Sequence, residues 1–434
     1  MVKKLWNKNF ILLLQGSAVS IIGDLMYSVA IGYWVYQKTG SNGLMGTMSS
    51  ISMFVTMLLS PFSGTIVDRL NRKWVLVIGD MLQGIIMLTV GVFAFLDKLN
   101  VVGVLVAAFL AALGGVFYSP ASNTVLVDII PGDEIQRGQS LFSGVSTSIN
   151  LVGTAFSGAV VVLLGVPLII IINGASNIYA AVSELFVSVP KTVKQGQKVT
   201  VKSILADTKT ALKTIFKDKC LKIFIPCAII INFLSAGAFS LILPFTVEKG
   251  FALEQYGLLM SICTVGSLIA VVLLGAIKFS PKARYLILAI TFPLSEIFML
   301  TAYLQTEFAL TCVFGLLGML TNTAGNTVFS AAMMVAIPKD SRGAILGFVS
   351  SASVGGSALS ALAYGFLGEI FPLETVFSVG CLLGLIPMLY MCLNRRTKKF
   401  IVENTKGEDE EAQEEAPEEA PEEVPEETVN ESIE

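Results

Sequence analysis

The chain has 434 residues and no histidine. That removes histidine metal sites, Ser-His triads and histidine proton relays. Charge is also scarce: only 14% of residues are Asp, Glu, Lys or Arg, and 54% are hydrophobic. An ordinary soluble domain carries about 25% charged residues, so this chain has too little polar surface to cover itself in water. The six cysteines, Cys220, Cys227, Cys263, Cys312, Cys381 and Cys392, are scattered without CxxC or zinc spacing. This excludes a disulfide scaffold, and most of them sit in apolar runs as small hydrophobes. A GxxxxGK[S/T] phosphate loop is missing, which argues against an ATP-driven machine. No metal, no cofactor and no nucleic-acid partner are expected, and the reading is not an enzyme.

What is there is hydrophobic length. A membrane-spanning helix needs about 20 mostly apolar residues. Twelve such runs divide the chain, near 10–36, 44–67, 74–96, 101–127, 138–164, 166–189, 221–247, 253–278, 284–304, 307–336, 343–369 and 373–394. The first follows Lys3, Lys4 and Lys8 but is too long for a signal h-region and lacks a cleavage site, so it reads as a retained span.

The net charge of −3 conceals an asymmetry. Residues 403–434 hold 15 acids against Lys406, leaving a tail of −14 on a body of +11. The segment 407–434 is a Glu/Pro repeat whose few apolar residues, three alanines with Val424, Val429 and Ile433, are too sparse to form a core, which predicts disorder. Basic residues alternate strictly from loop to loop. One set of loops carries Lys3/Lys4/Lys8, Arg69/Arg72/Lys73, Arg137, the central loop, Lys278/Lys282/Arg284, Lys339/Arg342 and Arg395/Arg396/Lys398/Lys399. The other set carries only Lys38, Lys98 and Lys249. The positive-inside rule then places both termini in the cytoplasm of a multi-pass protein of the plasma (cytoplasmic) membrane.

The central loop has nine lysines between Lys191 and Lys222. Within it, Ile204, Leu205, Leu212, Ile215 and Phe216 recur at helical spacing, as a basic amphipathic helix on the inner leaflet would require. The expected organisation is a six-helix half over 1–189, a basic linker over 190–220, a second six-helix half over 221–394 and an acidic tail over 395–434. The halves also echo each other. Ala121-Ser122-Asn123-Thr124-Val125 in span 4 matches Ala324-Gly325-Asn326-Thr327-Val328 in span 10, and each string precedes a proline and an Arg-Gly pair. Duplicated halves around a central site are a common plan of secondary transporters.

The loop after span 2 reads Gly64-Thr-Ile-Val-Asp68-Arg69-Leu-Asn71-Arg72-Lys73. It resembles the signature loop of the major facilitator superfamily, G-x-x-x-D-R-x-x-R-R/K. Gly23-Asp24 in span 1, Asp80 at the start of span 3, and Tyr118-Ser119-Pro120 running to Val127-Asp128 in span 4 look like its drug:proton antiporter branch, which includes macrolide efflux proteins and enterobactin exporters. The resemblance covers all twelve spans. It implies an all-α polytopic fold of two six-helix halves and alternating access. It further implies a cavity lined by spans 1, 4, 7 and 10, and a charge network of Asp68, Arg69 and Asp128 that latches one state. The physics of the loop points the same way. Gly64 lets a neighbouring helix approach closely, and Arg69, Arg72 and Lys73 hold the loop on an anionic membrane face. The matching loop of the second half keeps Gly275 but has Phe279 in place of the aspartate. Span 5 lacks the Gly-Pro pair usual in these antiporters, and span 4 lacks their arginine.

Charges inside spans are costly, so they mark function. Asp24, Glu184 and Glu296 qualify. A buried carboxylate that alternates between a proton and a cation is minimal machinery for proton antiport, and Asp24 is the first choice for coupling or for binding a cationic substrate. Span 9 lies at the periphery of the family fold, which argues against Glu296. Gln15, Tyr118, Asn123, Asn232, Asn322 and Asn326 are candidates to line the cavity. The expected protein is a monomeric secondary exporter of small amphipathic molecules, with protons and the lipid bilayer as its other partners. A siderophore or lysophospholipid transporter of the same superfamily is the alternative.

Overall fold

The computed structural model describes residues 5–189, 209, 212–218, 220–277, 279–337, 342–399 and 402. Most of the predicted linker helix and nearly all of the acidic tail lie outside these residues.

Twelve helices among the described residues are long and apolar enough to cross a membrane. They are α1 (Lys8–Thr39), α2 (Asn42–Arg69), α3 (Arg72–Phe95), α4 (Val101–Asp128), α5 (Ile135–Leu164), α6 (Val166–Leu185), α7 (Leu221–Ser240), α8 (Leu253–Ala276), α9 (Pro281–Leu304), α10 (Phe308–Ala336), α11 (Arg342–Ile370) and α12 (Leu373–Leu393). Each coincides with one expected span. Side-chain caps start several of them: Asn7 accepts from Phe10 N, Ser41 from Leu44 N and Asn100 from Gly103 N. Each cap satisfies an orphan amide of the first turn. Gly40, at φ 62°, closes α1 with a left-handed residue and lets α2 begin two residues later.

The seventh span departs from expectation. The sequence reads as one run to residue 247, but the helix stops at Ser240 and a short helix resumes over Ile242–Glu248. Pro244 is the cause: without an N–H it cannot bond the carbonyl of Ser240, so the ladder breaks one turn earlier.

Packing repeats between the halves. In the first half α1 lies on α5 and α6, α3 on α4 and α6, and α2 on α4. In the second half α7 lies on α11 and α12, α9 on α10 and α12, and α8 on α10. These are the same pairings shifted by six helices. Two extensive contacts join the halves, α2 with α11 and α5 with α8, and the same shift exchanges them; smaller ones run from α2 to α7 and from α1 to the short helix Ile242–Glu248.

An even number of crossings puts both ends of the chain on one side, the terminal side. On the opposite, distal side the halves are closed. A methyl on Gly46 would strike the carbonyl oxygen of Ala361, and one on Gly257 would lie 2.6 Å from the carbonyl oxygen of Thr154. Ser50 Oγ donates to the Ala358 carbonyl at 2.7 Å, and Ser261 Oγ to the Leu151 carbonyl at 3.0 Å. Small side chains let the helices come this close. At the distal rim Glu369 Oε1 accepts from Ser41 Oγ at 2.6 Å and from Gly43 N at 2.8 Å. Asn42 Nδ2 donates to Glu248 Oε1 at 3.0 Å and to the Gly368 carbonyl at 3.1 Å.

The terminal side is different. A methyl on Gly64, Gly144, Gly275 or Gly347 would meet nothing within 4 Å. The expected close approach at Gly64 is therefore absent. The glycines that are used for tight crossing lie at the distal ends of these helices, where the halves meet.

Candidate functional site

The signature loop is built into the first half rather than spread on the membrane surface. Arg72, 7% exposed, opens α3, and its Nη1 stands 2.6 Å from Asp128 Oδ2 at the end of α4. Lys73 Nζ donates to the Leu185 carbonyl at 2.6 Å, where α6 ends and its last carbonyls lack helical partners. Arg72 and Lys73 are thus held by protein groups, because the first turn of α3 sits among the ends of α4 and α6. The described partner of Asp128 is Arg72, a residue outside the Asp68, Arg69 and Asp128 network that the resemblance implied. Arg69 is exposed, and the side chain of Asp68 lies outside the described set.

Deeper in the first half, three carboxylates converge. Asp24 on α1 faces α3 and α6. Asn173 Nδ2 donates to its Oδ1 at 2.9 Å, Asn177 Nδ2 at 3.4 Å and Gln83 Nε2 at 3.5 Å. Glu184, 1% exposed in the last turn of α6, accepts from Tyr118 Oη of α4 at 3.2 Å. Asp80 on α3 is 5% exposed and lies within electrostatic reach of both Glu184 and Asp24. Oδ2 of Asp80 and Oε2 of Glu184 are buried without a hydrogen-bond donor. Among the described residues no lysine or arginine is paired with any of the three; the ion pairs there are Lys38–Asp97, Arg72–Asp128, Arg137–Glu134 and Lys249–Glu374.

Helix geometry explains the convergence. Asn173, Asn177 and Glu184 recur at intervals of four and seven, which puts them on one face of α6. Gly84 and Gly174 let α3 and α6 touch, since a methyl on Gly174 would lie 2.7 Å from Leu88 N. Gly23 does the same for α1 against Asn173, 3.0 Å from its Nδ2. Gln15, predicted to line a cavity, instead points at α6 and donates to Ser183 Oγ at 3.4 Å.

The other predicted residues separate into two groups. Asn123, Asn232 and Asn326 are exposed within apolar helices, where polar groups turn to a polar space rather than to hydrocarbon. Asn322 accepts from Asn326 Nδ2 at 2.9 Å, one turn apart on α10. Glu296 stands alone in the second half, buried on α9 and remote in the fold from the first-half acids.

Sequence reasoning passed over Asp80, Gln83, Asn173 and Asn177 as site residues. The signal for the α6 pair was their spacing of four within an apolar run, which is one helix face.

Comparison with known proteins agrees with this architecture. The family model described as Major Facilitator Superfamily matches residues 13–234 and 225–422. Macrolide efflux protein A of Streptococcus pyogenes is 26% identical over 190 residues, covering 43% of this chain and 46% of that protein. Multidrug efflux pump Tap of Mycobacterium bovis is 29% identical over 160 residues, covering 36% of this chain and 38% of that protein. This chain therefore aligns with less than half the length of either relative. The uncharacterised MFS-type transporter YfiS of Bacillus subtilis is 21% identical across 92% of this chain and 97% of its own. Among solved structures, nucleoside transporter NupG superposes with a TM-score of 0.67 at 15% identity, over 88% of this chain and 97% of that one. A bacterial homologue of the human lysosomal transporter Spinster, inward-facing and unoccupied, superposes with a TM-score of 0.64 at 12% identity, over 92% and 96%. At those identities the structures speak to the fold alone.

Proposed function

Because the chain belongs to the Major Facilitator Superfamily, and so is a transporter rather than an enzyme, we propose that it exports small amphipathic molecules in exchange for protons. One observation carries the reading: Asp24, Asp80 and Glu184 meet inside the first half with no protein cation paired to them among the described residues. A buried carboxylate without a cation needs a proton or a cationic ligand as its counter-charge. A cluster of this kind on α1, α3 and α6 has the chemistry to take a proton on one side of the membrane and release it on the other. The efflux names of two relatives support the direction.

In this reading the terminal side is cytoplasmic, as the basic loops indicate. The structure then corresponds to the inward-open member of an alternating-access pair, closed at Gly46 and Glu369. Cargo enters from the inside, and proton binding at the cluster accompanies the return.

The test uses inverted membrane vesicles with an imposed pH gradient and a panel of fluorescent amphipathic cargoes. The unchanged chain drives cargo accumulation that collapses with the gradient. Asp80→Asn and Asp24→Asn abolish the gradient-driven component. Both variants keep cargo exchange at equal internal and external pH, because exchange moves no net proton. Full gradient-driven transport in both variants would remove the cluster from the mechanism.

A further inference from the structure

The second half encloses a cavity of about 440 Å³ between α7, α8, α9, α10, α11 and α12. Its size falls in the range of small-molecule sites, about 300–1,000 Å³. It is separate from the acidic cluster, which belongs wholly to the first half. Its wall is apolar and aromatic with one charge on it. Phe245 and Phe377 stack with ring centroids 5.0 Å apart. Tyr303 stands edge-on to both rings, at 5.4 and 5.0 Å.

The charge is Glu296, 8% exposed. Its carboxyl backs onto α12, where a methyl on Gly384 would lie 3.3 Å from Glu296 Cδ, and Cys381 of the same helix lines the cavity with it. Among the described residues no lysine or arginine is paired with Glu296. A cavity of this make-up discriminates by charge. An anion would meet the carboxylate, and a neutral guest would leave it uncompensated. A cation gains the carboxylate together with the negative faces of the aromatic rings.

The cavity also has a polar approach. Asn322 lines it and lines a second concavity with Asn326 and Ser330. These three residues are one turn apart on α10 and form a strip leading toward the terminal side.

We infer that this second-half cavity binds a lipophilic monocation, a tertiary amine or a quaternary onium ion, with Glu296 as its counter-ion. The inference rests on the exporter reading only in taking the bound cation to be cargo. It gives the two halves different tasks: protons in the first, cationic cargo in the second.

Binding is measured on the purified full chain in lipid nanodiscs, with tetraphenylphosphonium as the cation and triphenylphosphine oxide as an uncharged probe of similar shape. Glu296→Gln weakens tetraphenylphosphonium binding by about tenfold or more and leaves the uncharged probe unaffected. Equal binding of the cation by both chains overturns the proposal. A second measurement needs no substitution. N-ethylmaleimide labelling of Cys263, on the cavity wall, is followed by mass spectrometry beside Cys220, which lies outside it. Saturating tetraphenylphosphonium slows labelling at Cys263 by about threefold or more and leaves Cys220 unchanged, because the occupied site excludes reagent. Unprotected labelling at Cys263 overturns the proposal as well. Neither assay uses a gradient. Loss of proton-driven efflux with Glu296-dependent binding intact would sink the exporter reading alone. Efflux without Glu296-dependent binding would sink this site alone.

Discussion

Tyr118 Oη donates to Glu184 Oε1 at 3.2 Å, joining the middle of α4 to the last turn of α6. Glu184 has no other described donor, and its second oxygen is buried unbonded. A hydrogen bond to an ionisable carboxyl contributes about 1.5–3 kcal/mol. Tyr118→Phe should therefore keep the fold and slow proton-driven efflux by about tenfold, since 1.4 kcal/mol is tenfold in rate. Initial rates in energised vesicles, normalised to protein in the membrane, decide it. A rate equal to that of the unchanged chain would mean that the bond is incidental.

The pair of Arg72 and Asp128 makes a different prediction. Its separation is 2.6 Å, with Arg72 7% and Asp128 19% exposed. Breaking a buried pair costs about 3–5 kcal/mol; partial exposure of Asp128 brings the expected loss nearer to about 2 kcal/mol. Arg72→Ala and Asp128→Ala should each lower the thermal stability of the purified protein and slow transport. The exchange Arg72→Asp with Asp128→Arg should recover part of both. Arg72→Lys should recover less, because an ammonium lacks the planar fork of the guanidinium. An exchange no better than the worse single variant would count against direct pairing.

At the distal rim, Glu369 gathers Ser41 and Gly43 of the opposite half onto one oxygen. Glu369→Ala removes both bonds at once. The distal side should then open more often, which spin labels at Asp97→Cys and Glu307→Cys, in a chain without its native cysteines, would report as a longer distance population. An unchanged distance distribution would show that the glycine contacts alone keep this side shut.

Much of the fold could be read from the residues. Apolar run length predicts twelve helices, and twelve long apolar helices are found among the described residues. What escaped was lateral contact. The apolar run of span 3 starts near residue 74, which sets Asp80 close to its start. The helix begins at Arg72, which carries Asp80 more than two turns inward and into the company of Glu184. Arg72 and Asp128 are separated by 56 positions, and no local pattern announces such a pairing. The α6 face of Asn173, Asn177 and Glu184 was legible in its spacing, but only the carboxylate drew notice because hydropathy weights charge above amide. Asp24 was found, yet its direction was not: a residue in mid-span can turn to any neighbour, and here it turns to α3 and α6.

The closure at Gly46 and Gly257 has an energetic meaning for the working cycle. The glycine contacts themselves are backbone on backbone, but the same seam buries apolar side chains of both halves: Val29, Ala30 and Val161 cluster with Leu243 and Leu253, and Ile31, Val35 and Met45 with Leu241 and Phe245. Parting the halves there uncovers this apolar surface, at about 25 cal/mol per Å², so the hydrophobic term favours the closed arrangement. The rim hydrogen bonds, each about 1 kcal/mol net, add to that bias. Inverting a 1:99 population to 99:1 takes about 5.5 kcal/mol of differential binding. The apolar seam is thus what the binding of cargo or proton has to outweigh for the distal side to open.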